Sequence, residues 1–415
     1  MNKRKINLGT QISKLSLVSS IALLLLSVMI YGNPPTVHGF VPDDPIGNGW
    51  HLDAIRIHSA WDYGYSFNHL GAVGFCVIGE PITTDQNGDL NITEKASFAW
   101  NADLTDYQPY PSVCYSSHEA AVASVAASTI NNGIGVAGIV NAPLYSAWPW
   151  GNYPEDDVTY CHTYVQQMLD MFEWGSSFGR MVFTMSFLDT MYELELDDPV
   201  LVELQDTVTE LYENGTALFF VGIDNVLCPL HPMDVPTALP YARAIGRFDS
   251  TGSYVEGGYG DQLFLLAPAG GIPAYMQATG TYGTFGGSSC ATPIAAASAV
   301  LLWNQFPWAT NRQIEDALVW GATDTLDPGW DDRSGYGSLN VERARSYLAE
   351  CVPSANSFIL NWSATDEVII TEETTGSSSS TTSSNLTSLI LYISIPLGLS
   401  LIIIVLRIKR RQIPA

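Results

Sequence analysis

The sequence predicts an α/β domain built on a doubly wound parallel sheet, and three observations carry that prediction. Mostly continuous apolar runs at residues 72–78 and 179–186 suit strands buried on both faces, as in a parallel sheet. Stretches of helical character alternate with such runs along residues 50–349, which is the signature of strands joined by crossover helices. Residues 283–305, GTFGGSSCATPIAAASAVLLWNQ, read as a glycine-rich turn, a serine at a helix start, and a slim apolar helix that can be buried on every side.

The chain has 415 residues, enough for one large domain with appendages. It carries 17 basic and 42 acidic residues, a formal charge of −25, which excludes a nucleic-acid partner. The acidic balance favours solubility and structural calcium without assigning a ligand to either, and no other cofactor is implied. Lys3, Arg4, Lys5 and Lys14 precede the apolar run 15–30, so residues 1–32 read as a secretory signal sequence. Residues 386–406 are an apolar stretch of about the ~20 residues that cross a bilayer as a helix. Arg407, Lys409, Arg410 and Arg411 follow at once and place residues 407–415 in the cytoplasm. The Ser/Thr-rich segment within 351–385 cannot form a core and reads as a stalk. The expected topology is a globular domain (50–350) outside the cell, held by a single C-terminal transmembrane helix. Of six cysteines, Cys76 and Cys290 read as free thiols, and Cys114, Cys161, Cys228 and Cys351 could form two bridges of undetermined pairing.

In chain order, residues 33–49 are a polar, proline-containing lead-in, and 50–61 read as an opening helix. The strand at 72–78 ends in Gly79-Glu80-Pro81. His118 opens an alanine-rich helix and is followed by Glu119; Asn131-Asn132-Gly133-Ile134-Gly135-Val136 come after it. The strand at 179–186 runs into Phe187-Leu188-Asp189, and 197–213 is an acidic helix with a solvated face. Residues 216–225 end in Gly222-Ile223-Asp224-Asn225. At the helix start near Ser289, unpaired N–H groups and the positive dipole end suit stabilisation of developing negative charge, and Pro293 is expected within the first helical turn.

Gly287-Ser288-Ser289-Cys290-Ala291-Thr292-Pro293 resembles the Gly-Thr-Ser-Met-Ala-Thr-Pro nucleophile motif of the subtilisin-like serine protease family. Ser117-His118 with the alanine-rich helix and the Asn-Asn-Gly-Ile-Gly-Val run is similar to that family's histidine segment, and residues 335–341 to its closing Gly-x-Gly-x-Ile/Val-Asn segment. The resemblance covers roughly residues 50–349 in family order. It implies a subtilisin-like fold, Ser289 as nucleophile and His118 as general base, acting on protein or peptide substrates. Gly79 stands where the family has its triad aspartate, which leaves Glu80 as the candidate acid. The register puts Asp224 at the family's oxyanion-donor asparagine, and a one-residue slip would supply Asn225. Phe187-Leu188-Asp189 replaces the family's Leu-Gly-Gly substrate edge, and residues 33–49 leave no room for the family's folding prodomain. The resemblance thus implies a membrane-anchored extracellular serine endopeptidase. The alternative is an inactive binding module on the same scaffold. A third reading, suggested by Asp224 and the acidic composition, is an acid-adapted sedolisin-like enzyme, a family that uses glutamate where this chain has His118.

Overall fold

A computed structural model describes residues 39–46, 49–83, 88–99, 116–150, 157–190 and 194–352, and the backbone of 386–393 and 402–409. The expected signal sequence, most of the stalk and the end of the basic tail lie outside the described residues. Residues 1–361 and 362–415 form separate units.

The opening helix is two short helices, α1 (Trp50–Ala54) and α2 (Ile57–Trp61), because Arg56 between them takes a left-handed conformation, φ 59° and ψ 41°. The sheet follows with β1 (Gly74–Ile78), β2 (Ile92–Ala99), β3 (Leu144–Trp150), β4 (Met181–Met185), β6 (Ala217–Gly222), β8 (Ala242–Phe248) and β10 (Leu263–Pro268). The spatial order is β10-β8-β6-β4-β1-β3-β2, parallel at each of these pairings, with β9 (Tyr254–Val255) antiparallel on β8. β1, β4 and β6 are buried along their whole length, which is why they carry no period-two alternation. Two ribbons lie off this sheet: β5 (Asp189–Thr190) pairs with β7 (Asp234–Val235), and β11 (Ile272–Met276) with β12 (Thr281–Phe285).

Helices cover both faces. α3 (His118–Ala127) packs against α6 (Ser288–Gln305), and α6 lies across β1, β4, β6, β8 and β10. The residues of α6 from Cys290 to Trp303 are buried, as a small-residue helix with no polar face requires. On the opposite face lie α4 (Asp157–Ser176) and α5 (Pro199–Glu213), where Phe172, Phe183 and Phe219 pack with ring centroids 5.1–5.3 Å apart. α7 (Asn311–Gly321) opens with a capping box in which Thr310 Oγ1 accepts from Gln313 N at 3.2 Å and Gln313 Oε1 accepts from Thr310 N at 2.9 Å. It packs on α8 (Val341–Cys351). A buried ion pair ties this layer to the sheet: Glu315 on α7 accepts from Arg243 Nε at 2.7 Å and Nη2 at 2.8 Å, and from the Tyr212 hydroxyl at 2.5 Å.

The chain winds from β1 toward β2 and β3 on one side, then returns past β1 to β4 and builds outward on the other. β1 and β4 therefore flank the point where the winding reverses, and a crevice at their carboxyl ends is the expected position of a site in such a sheet.

Two expectations are corrected. Where the sequence predicts a transmembrane helix at 386–406, the structure has two antiparallel strands, β13 (Leu386–Ile393) and β14 (Ile402–Lys409). A run rich in Ile, Leu and Val satisfies strand and helix periodicity alike, so composition alone did not separate them. Among the described residues no helix is long and apolar enough to cross a membrane. Cys228 and Cys351 also carry free thiols, so the four remaining cysteines do not form two bridges; Cys114 lies outside the described residues.

Candidate active site

Ser289 is the second residue of α6, after the N-cap Gly287 and Ser288. Gly287 has φ 80°, a conformation that disfavours a side chain, and a Cβ there would stand 3.0 Å from Asn225 Oδ1. Pro293 is the sixth residue of the helix and not part of its first turn. It cannot donate to the Ser289 carbonyl four residues back, and the Ser186 hydroxyl donates to that carbonyl instead, at 3.2 Å. Ser289 Oγ in turn donates to the Ser186 carbonyl, at 3.2 Å. This reciprocal pair pins Ser289 to the end of β4. Sequence reading missed Ser186, and the proline one turn after Ser289 was the available signal. Cys290 is fully buried, and burial raises its thiol well above the ordinary range, which removes it as a competing nucleophile.

His118 is the first residue of α3, and its ring meets Phe285 edge-on at 5.6 Å, just ahead of the glycine turn that leads to Ser289. Its Nδ1 lies 2.8 Å from Glu119 Oε1. Glu119 is 3 % exposed, and its carboxylate fills the space beside Gly79: a Cβ built on Gly79 would lie 2.5 Å from Oε1. Gly79 itself has φ 149° and continues β1 by donating to the Ala147 carbonyl at 3.1 Å. Glu80, the carboxylate singled out from sequence, is exposed; the atom pairing with His118 belongs to Glu119. Glu80 acts on His118 through its charge, and on Glu119 through its charge and a carboxyl–carboxyl hydrogen bond. Burial works to lower the His118 pKa, but the hydrogen bond and charge of Glu119, with the field of Glu80, outweigh it and leave the histidine raised above its ordinary value. Burial first, then Glu80, raises Glu119 against the opposing pull of His118.

Register brings the two halves together. Ile78 of β1 pairs with Met185 of β4, so Gly79 with its glutamate neighbour and Ser186 with its serine partner sit at adjacent strand ends. Neighbouring strands lie about 4.8 Å apart.

Of the two oxyanion candidates, Asn225 reaches the nucleophile turn. Its Oδ1 accepts from Ser288 N at 2.9 Å, which leaves its Nδ2 group to donate toward solvent. Asp224 instead accepts from the Cys228 thiol at 3.3 Å. Phe187 turns away into the core and meets Tyr164 edge-on at 6.1 Å, while β5 just beyond it is engaged by β7.

No group of three or more His, Cys, Asp or Glu that could hold a metal ion occurs among the described residues. The acidic side chains around the 131–136 loop are occupied by donors. Asp44 accepts from the Asn131 and Asn132 amides at 2.9 and 3.2 Å, and Asp89 from Tyr282, Asn132 and Val136 at 2.7–3.3 Å. Carboxylates so engaged hold a loop and do not fit a calcium cage.

The subtilase family model matches residues 76–337. Subtilisin NAT of Bacillus subtilis subsp. natto is 27 % identical over 311 residues, 74 % of this chain and 72 % of that protein. The halolysin-like extracellular serine protease Nep of Natrialba magadii is 24 % identical over 316 residues, 73 % of this chain and 52 % of Nep. Among solved structures, MycP1 from Mycobacterium smegmatis superimposes with a TM-score of 0.57 at 16 % identity, over 74 % of this chain and 88 % of that one. A lanthipeptide protease does so at 0.54 and 18 %, over 72 % and 94 %.

Proposed function

This chain belongs to the subtilase family, and we propose that it is a serine endopeptidase that hydrolyses peptide bonds through Ser289 and His118. The observation that carries the reading is the register between β1 and β4, which sets the His118 pair and the Ser186-anchored Ser289 at neighbouring strand ends on the winding reversal. In such a site His118 takes the Ser289 proton as Oγ attacks the scissile carbonyl, then returns it to the leaving amine. The carbonyl oxygen, as it becomes an anion, is met by the Ser289 backbone N–H at the start of α6 and by the Asn225 amide. Family membership and the retained serine and histidine support catalysis over the inactive binding module.

Labelling of the full chain with a fluorophosphonate from about pH 5 to pH 9 tests this. Labelling of the parent that disappears in Ser289→Ala and in His118→Ala is the expected result. A folded parent that labels no better than Ser289→Ala at any pH defeats the proposal.

The proposal extends to attachment at a membrane with the catalytic domain outside. Its support is compositional: a basic-then-apolar amino terminus, and an apolar run at 386–406, whose described parts pair as β13 and β14 and so would attach without a crossing helix, followed by Arg407, Lys409, Arg410 and Arg411. Full-length protein that stays with membranes through alkaline carbonate washing, and leaves them when truncated before residue 386, is the expected result; release of the full chain by the wash overturns this part alone.

A further inference from the structure

We infer that the acid of this site has moved from the strand to the helix: Glu119, entering from α3, fills the space that a side chain at residue 79 would occupy and holds His118 through Nδ1. The inference rests on the reading of Ser289 and His118 above and deepens it.

Two substitutions make sense only together. A glutamate at 119 needs room at the end of β1, and Gly79 supplies it, since any Cβ there would stand 2.5 Å from Glu119 Oε1. A glycine at 79 removes the carboxylate that a family member carries there, and Glu119 restores one beside the same imidazole nitrogen, at 2.8 Å. A carboxylate on the imidazole is retained while the backbone element that delivers it changes. Consecutive helical residues usually point about 100° apart and do not meet. The contact is open here because His118 is the first residue of α3.

The second observation is that Glu119 is only half satisfied. Its Oε2 is buried and receives no donor among the described residues, in a helix otherwise lined with Ala, Val and Ser; the Glu80 carboxyl can hydrogen-bond to Glu119 only when one of the two is protonated. A buried carboxylate with one oxygen on a histidine and the other bare is costly as pure structure. The oxygen on Nδ1 is what fixes the tautomer with the proton on that nitrogen, leaving Nε2 to receive the Ser289 proton. Glu119 is thus a positioning residue, acting through His118. Two titratable groups act on His118, Glu119 from α3 and Glu80 from the turn after β1; the third neighbour, Phe285 of β12, is uncharged.

The test compares Glu119→Gln with Glu80→Gln in the full chain. Fluorophosphonate labelling is expected to slow by about 10⁴-fold in Glu119→Gln, as when a triad acid loses its charge, and by less than about tenfold in Glu80→Gln. By NMR, the His118 titration midpoint falls in Glu119→Gln. A folded Glu119→Gln that labels within about tenfold of the parent, with the His118 midpoint unmoved, overturns the inference while Ser289→Ala and His118→Ala still uphold the protease. If Glu119→Gln does not fold, Glu119→Asp replaces it: a shortened carboxylate is expected to keep the midpoint raised and still slow labelling, and parental labelling in that variant counts against the inference. If the parent never labels, the protease reading fails, and the His118 midpoint still decides whether Glu119 holds the histidine.

Discussion

Glu315 and Glu119 are both buried carboxylates on helices, with side chains 8 % and 3 % exposed, yet their surroundings differ in kind. Glu315 is held on both oxygens, by the Arg243 fork and the Tyr212 hydroxyl, and none of these groups lies at the winding reversal. Glu119 is held on one oxygen, by a histidine, and its other oxygen receives no donor among the described residues, its neighbour Glu80 being a second carboxyl. Burial alone therefore does not separate a structural carboxylate from a functional one. The state of its hydrogen bonds does, because a fully satisfied network rigidifies the fold and a half-satisfied one keeps a chemical capacity at the expense of stability.

The largest expected effect breaks the satisfied partner. Glu315→Ala leaves the half-buried Arg243 packed against Tyr212, Tyr241 and Phe264 without its counter-ion, and the loss of stability should be about 3 kcal/mol in denaturant melts, the low end for a buried pair. Residual activity per folded molecule should be unchanged. A loss below about 1 kcal/mol would mean that the pair is screened like a surface bridge.

Next in size is the donor side of the site. Asn225→Ala should lower kcat by about 10²–10³, or 2.7–4 kcal/mol of transition-state stabilisation, with KM nearly constant. Asp224→Ala, whose carboxylate faces Cys228, should cost far less. Equal losses in the two variants would restore Asp224 as the donor.

The contrast is sharpened by what Glu119→Gln does to stability. Glu315→Gln should destabilise, since it discharges a satisfied pair, whereas at about pH 9, where His118 is neutral and its pairing no longer contributes, Glu119→Gln removes a poorly solvated charge and should leave the melting temperature equal or higher. A fall of several degrees would reclassify Glu119 as structural.

Most of the fold was legible because its signals are local. The buried strands β1 and β4 are continuous apolar runs, and α6 can only be a central helix because it has no polar face. Ser289 and His118 were singled out as candidates by the spacing of their motifs. Glu119, the acid inferred above, was not, because at the end of a strand the next residue, Glu80, is the nearest carboxylate in sequence, while Glu119 is nearest only once α3 docks against β1. One signal was present: a single carboxylate in the run Glu119 to Ala127, otherwise Ala, Val and Ser, must be buried with the rest of that helix. The choice between Asp224 and Asn225 stayed open in the sequence for a similar reason, since the chain leaves β6 at Gly222 and side chains beyond a strand end no longer alternate. The C-terminal run shows the limit of composition, which fits helix and strand equally.

The smallest effect is a displacement of the pH profile, and its sign follows from the histidine. Catalysis needs neutral His118, and Glu119 with Glu80 raises its pKa above the ordinary 6.5 against the opposing effect of burial. As pH falls, the imidazole is therefore protonated earlier than usual, and the acid limb of kcat/KM should lie above pH 6.5. Glu119→Gln removes the larger of the two raising influences and should move the limb down, while Glu80→Gln should move it down less. The same raised value contributes stability that is fully present below pH 6.5 and is lost as pH rises through the folded pKa. The His118–Glu119 pair thus holds the fold most strongly where the base is protonated and idle, and an acid limb at or below pH 6.5 in the parent would show that burial, rather than the carboxylates, governs His118.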